Sequence, residues 1–176
     1  MILSPEYTTN NIRLIQQLIG QKIKFIIRLT QIEPEEQLRL ELGSLFLETY
    51  DGVRLYIDVD EGLGNIVLFD ACDKNIAINR KINEFSYKSQ IYPENKFRSR
   101  LNFSLSASID GIEIISRSDE IKTFFSMCGF KLTFSNSKSL YLGSYLTDLR
   151  LPEICLLFPE EAEDNLIHQS LTVRSE

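Results

Sequence analysis

The chain has 176 residues, 43% hydrophobic and 25% charged, with a formal net charge of −6. That size and composition suit one domain with its own buried core and argue against disorder of the whole chain. No window holds the roughly 18 apolar residues of a membrane helix, and "MILSPEYTTNN" has neither the basic nor the apolar region of a secretory signal.

In chain order, "TTNNIRLIQQLIG" predicts a helix capped by Asn10 or Asn11, with Ile12, Ile15, Leu18 and Ile19 at helical spacing and Gly20 at its end. "KIKFIIRL" predicts a strand with Ile23, Phe25, Ile27 and Leu29 on one face. Residues 35–42 are ambiguous, because Pro34 with Glu35 and Glu36 suits a helix start whereas Leu38, Leu40 and Leu42 alternate as in a strand. "SLFLETYDGVRLYIDV" (44–59) is a hairpin: Leu45 and Leu47 lead to Asp51-Gly52, a pair suited to a two-residue type I′ turn, and Val53, Leu55 and Ile57 return. "NIVLFDA" adds a further strand.

The middle of the chain is less regular. "INEFSY" and "RLNFSLSASI" alternate like strands, the second grouping Leu101, Phe103, Leu105, Ala107 and Ile109, and 87–97, with Pro93 and Asn95, is the expected long loop. "IEII" after Gly111 predicts a strand. "RSDEIKTFFSMCG" predicts a helix, with Ser118 as cap, Asp119 and Glu120 in the first turn, Ile121, Phe124, Phe125 and Cys128 on one face, and Gly129 as the stop. "FKLTFSNSKSLYL" is a second hairpin and "EICLLF" a strand. After Pro159, "EEAEDNLIHQSL" suits a short helix whose acidic residues favour its N-terminus.

The order of elements repeats. Leu55-Tyr56-Ile57 aligns with Leu140-Tyr141-Leu142 at an offset of 85 (140 − 55), which also pairs Leu47 with Leu132 and Asp51 with Asn136. With a few inserted residues, Ile66-Val67-Leu68 aligns with Ile154-Cys155-Leu156. The expected architecture is therefore a single α+β domain over 1–176, dominated by antiparallel strands. Its two similar halves, 20–70 and 111–160, would each carry about four strands, joined by 71–100 in a pseudo-twofold sandwich or barrel.

Chemistry-bearing patterns are sparse. Cys72, Cys128 and Cys155 are widely spaced with no C-x-x-C, so they read as reduced thiols of a cytoplasmic protein. Cys128 and Cys155 interrupt apolar patterns and should be buried. "DVDEGLGN" opens like a calcium loop but has Gly62, Leu63 and Phe69 where the fifth, sixth and twelfth positions need a ligand, a glycine and a glutamate. His168, the single histidine, stands in a polar stretch with no nucleophile motif nearby. No phosphate-binding loop or dinucleotide fingerprint is present. No cofactor, metal or catalytic residue is expected.

Charge is unevenly spread. Residues 1–79 carry 7 basic and 12 acidic side chains, 101–176 carry 6 and 11, and 80–100 carry 6 and 2, giving −5, −5 and +4. In the basic island Arg80, Lys81, Lys88, Lys96, Arg98 and Arg100 alternate with Phe85, Tyr87, Tyr92 and Phe97. The plain reading is a solvated strand edge, and the functional one is a partner-contacting segment. Single-strand nucleic-acid binders also combine cations with aromatic platforms, but both flanking halves are acidic. A secondary acidic face would comprise Asp58, Asp60, Glu61, Glu160, Glu161, Glu163 and Asp164. The function expected is a non-enzymatic protein-binding module, such as a toxin-neutralising protein or an accessory subunit, with a protein partner, a basic toxin being one whose encounter the acidic surfaces would speed, and no membrane. The alternatives are a nucleic-acid-contacting accessory protein using 80–100 and a hydrolase of unfamiliar type.

Overall fold

The computed structural model describes residues 5–30, 44–59, 66–70, 88–92, 107–118, 124–147 and 154–171. It opens with helix α1, Pro5–Gln16, followed by a turn that ends at Gly20. Leu14, Ile15 and Leu18 are buried, as helical spacing requires. The helix starts earlier than its polar residues suggest. Pro5, with its fixed φ and missing N–H, serves the first turn, so Asn10 and Asn11 lie inside the helix and do not cap it.

The first sheet comprises β1 (Ile23–Thr30), β2 (Leu45–Thr49), β3 (Arg54–Val59), β4 (Ile66–Asp70) and β5 (Lys88–Tyr92). Four strands form an antiparallel meander, and β5 returns to the free side of β1, giving the order β4-β3-β2-β1-β5. In the expected hairpin Leu45 faces Ile57 and Leu47 faces Leu55, all four buried. Its turn differs from expectation. Gly52 alone has positive φ, 87°, and Gly52 N–H donates to Thr49 O at 3.2 Å, so a type I turn and a left-handed residue make a three-residue loop. The alternation of β1 also breaks, because a register shift between Ile23 and Phe25 puts Ile26, not Phe25, into the core. An extra residue in one strand reverses the facing of those that follow.

The second sheet comprises β6 (Ile109–Ser118), β7 (Phe124–Phe134), β8 (Ser139–Gly143), β9 (Cys155–Leu157) and β10 (Ile167–Ser170), ordered β10-β6-β7-β8-β9. Among the described residues each half thus holds five strands, one more than expected, connected in the same order. Two helix expectations fail here. Ser118 ends β6 and Phe124–Cys128 belong to β7, which pairs Phe124 with Ser118 and Phe125 with Arg117. Residues 119–123 lie outside the described residues. The helical spacing of Phe124, Phe125 and Cys128 is outweighed by pairing with β6 at Phe124 and Phe125 and again from Gly129 onward, on either side of a register shift.

Gly129, expected as a helix stop, lies mid-strand opposite Gly143. A Cβ on Gly129 would meet Leu142 O at 2.5 Å, and one on Gly143 would meet Cys128 O at 2.3 Å. These glycines serve close backbone approach. The C-terminal helix is likewise replaced, by a 3-10 turn at Pro159–Glu161 and the strand β10. Glu161 accepts the Phe158 N–H at 2.7 Å, and β10 is drawn onto the edge of β6.

Hydrogen bonds recur between the halves. Thr49 N–H donates to Val53 O and Phe134 N–H to Lys138 O, each at 2.9 Å. Ser137 N–H donates to Phe134 O at 2.8 Å, as Gly52 N–H does to Thr49 O. Tyr50 N–H reaches Lys22 O at 3.0 Å and Ser135 N–H reaches Ser108 O at 2.8 Å, while Lys22 and Ser108 form an isolated antiparallel bridge. Residues of α1 and of both sheets, among them Leu14, Ile26, Leu47, Leu68, Ile112, Phe130 and Leu142, form one buried cluster. Among the described residues neither sheet closes into a barrel. No helix among them is long and apolar enough to cross a membrane.

Candidate partner-binding surface

Edges of an open sheet expose unpaired backbone groups unless something covers them, so the four outer strands are the natural places to look. The outer edge of β4 is covered. Asn11 Nδ2 donates to Ile66 O at 3.0 Å, and Leu68 N–H donates to Asn11 Oδ1 at 3.0 Å. One buried amide on α1 thereby stands in for a neighbouring strand, which explains a fully buried asparagine in an apolar helix face.

Of the basic island, only Lys88–Tyr92 is described. It is strand β5, with Lys88 opposite Thr30 and Tyr92 opposite Ile26, which corrects the loop expected over 87–97 at residues 88–92, the others lying outside the described residues. No described strand pairs with its other side. Arg80, Lys81, Tyr87, Lys96, Phe97, Arg98 and Arg100 lie outside the described residues, as do the ambiguous segment 35–42 and the strand expected at "INEFSY".

Of the acidic residues, the described ones belong to both sheets' surroundings. Asp58, on β3, accepts from Ser44 Oγ at 2.9 Å, Tyr56 OH at 3.1 Å and its neighbour's Val59 N–H at 2.9 Å. Asp60 and Glu61 lie outside the described residues. Glu160, Glu161 and Asp164 are exposed, beside the second sheet. Glu163 is 2.6 Å from Arg117 Nη2 on β6, both side chains nearly buried, and Arg117 Nη1 donates to Tyr145 O at 2.6 Å. This pair fastens the segment after β9 to the second sheet over a small apolar cluster of Ile115, Cys128, Tyr141, Leu146 and Leu166. Nothing in local sequence pairs residues 117 and 163.

Two further polar groups stand on outward sheet faces. Glu48 bridges Lys24 at 3.2 Å and Arg54 at 2.8 Å. Glu113 binds Lys131 at 2.8 Å and lies 3.7 Å from His168 Nδ1, while His168 meets the ring of Tyr141 edge-on at 5.8 Å. Cys128 is buried and donates to Ile115 O at 3.4 Å, and desolvation pushes its thiol up to about 12 against smaller lowering effects of a backbone hydrogen bond and Arg117. A thiol so raised is a poor nucleophile at neutral pH. Cys155 is also buried, as its place in an apolar strand implied, and Cys72 lies outside the described residues. Among the described residues no group of three or more His, Cys, Asp or Glu side chains is placed to hold a metal ion.

Compared with known proteins, the chain matches no family model, no curated protein and no solved structure.

Proposed function

We propose that this chain is a non-enzymatic protein-binding module, of the kind that neutralises a toxin or serves as an accessory subunit, and that it arose by internal duplication. The two halves would be related by an approximate twofold axis near the Lys22–Ser108 bridge, with their sheets packed face to face. Support for the duplication comes from the common strand order and from the hydrogen bonds that recur at the same steps of both hairpins. A repeat drawn this way includes the fifth strands, so it extends to residue 92 in the first half and 170 in the second.

The observation that carries the binding reading is the place of β5. The described part of the basic island is the outermost strand of its sheet, paired with β1 on one side only among the described residues. An extended partner segment can add to such an edge through main-chain bonds, while the cations that flank it in the sequence would favour an acidic segment and speed encounter. The test is affinity purification from the native host with and without nuclease, using the wild-type chain and a triple charge reversal at Lys88, Lys96 and Arg98. A protein retained after nuclease treatment and lost with the reversal supports the reading. Retention of oligonucleotides near physiological salt, abolished by the same reversal, favours the nucleic-acid alternative and sinks it.

A further inference from the structure

The edge of β10 differs from that of β4. Ile167, His168, Gln169 and Ser170 are all exposed, and Ile167 is 45% exposed, one of two large apolar side chains so placed among the described residues. No described strand pairs with the outer side of β10. Beyond its shortness, four residues, β10 lacks the usual protections that a strand's own sequence gives an edge: it contains no lysine or proline, and its ladder with β6 runs without a bulge.

The ladder also fixes which backbone groups face outward. Leu171 N–H donates to Ile112 O at 2.9 Å, continuing the register that places Gln169 opposite Ile114 and Ile167 opposite Ser116. Antiparallel bonding alternates along a strand, so residues 167, 169 and 171 direct their N–H and C=O groups toward β6. His168 and Ser170 direct theirs away.

We propose that this edge is a self-association surface, on which a second copy of the chain adds its own β10 antiparallel across a twofold axis through Gln169. In that register His168 faces Ser170 of the second copy, and each such pair exchanges both backbone bonds, so every outward group of the two residues is satisfied. Ile167 then lies on the same face as Leu171 of the second copy, which shields its exposed side chain. The two residues whose backbone meets carry no like charges, whereas the whole chain carries −6. Repulsion between copies is therefore long-range, and added salt strengthens the association by screening it. This surface is separate from β5 and stands or falls independently of the protein-binding reading.

Sedimentation velocity from micromolar to millimolar protein, at low and high salt, is the direct test. A reversible monomer–dimer equilibrium that tightens with salt is expected. Ser170→Pro removes an outward N–H without touching the β6 ladder, and Ile167→Lys places a charge where the apolar contact forms. Each should weaken the dimer at least tenfold without lowering the thermal midpoint. Amide exchange gives a readout that does not depend on either variant folding: His168 and Ser170 amides should gain protection as concentration rises, and Gln169 should not. The proposal is overturned by a wild-type chain that stays monomeric throughout. It is equally overturned by a dimer that Ile167→Lys leaves intact, or by exchange at His168 and Ser170 that ignores concentration.

Discussion

Gly52 and Ser137 stand at the same step of hairpins in different sheets, and both hold positive φ, 87° and 64°. Glycine adopts this conformation freely, whereas serine bears the steric cost of its Cβ there. Asn136 Oδ1 supports the second loop by accepting the Lys138 N–H at 3.1 Å. Ser137→Gly should therefore raise stability by about 0.5–1 kcal/mol, and Gly52→Ser should lower it by about 1 kcal/mol. Urea unfolding midpoints at constant slope check both. A destabilising Ser137→Gly would mean that the hydroxyl contributes more than the strain costs.

Arg117 and Glu163 form a nearly buried ion pair, and removing Glu163 leaves the Arg117 charge with a neutral carbonyl, Tyr145 O, and no counter-charge from residue 163. Glu163→Ala should cost about 3 kcal/mol, and Arg117→Met with Glu163→Leu should recover much of that loss. The double-mutant cycle measures their coupling directly. Additive single effects would show that the pair does not act as a unit.

Asn11 closes the edge of β4 with two hydrogen bonds. Asn11→Leu preserves the apolar helix face but leaves Ile66 C=O and Leu68 N–H without these bonds, at a cost of about 2 kcal/mol. Exchange of the Leu68 amide should accelerate more than that of core amides in β2. Unchanged Leu68 protection would show that another group takes over the edge.

The Cys128 thiol is raised from 9.0 to about 12 in the folded chain by burial. The folded state therefore keeps its proton where the unfolded state loses it. Its contribution is fully present below about pH 9 and is lost as pH rises toward 12, with a slope of up to about 1.4 kcal/mol per pH unit. Cys128→Ser should flatten the alkaline limb of the stability curve relative to wild type. In the native chain at neutral pH, thiol reagents should label Cys128 only through opening of the cluster over it. Parallel alkaline limbs would count against its burial.

Strict alternation with turn residues between made both hairpins legible in the sequence, since each side chain's facing follows from a period of two once one face is buried. The apolar patterns around Cys128 and Cys155 likewise announced buried thiols. Tertiary structure decided what local pattern leaves degenerate. Residues 124–128 carry apolar side chains at helical spacing, and pairing of Phe124 and Phe125 with β6 selected the strand. The polar run after Pro159 is compatible with a helix, yet the exposed edge of β6 recruited Ile167–Ser170 as a strand. One inserted residue in β1 reversed which side chains enter the core, and no local signal marks such a bulge. The groups that close the fold, Asn11 on β4 and Arg117 on Glu163, join residues far apart in the chain. Their value depends on burial and geometry that arise only once the sheets have assembled.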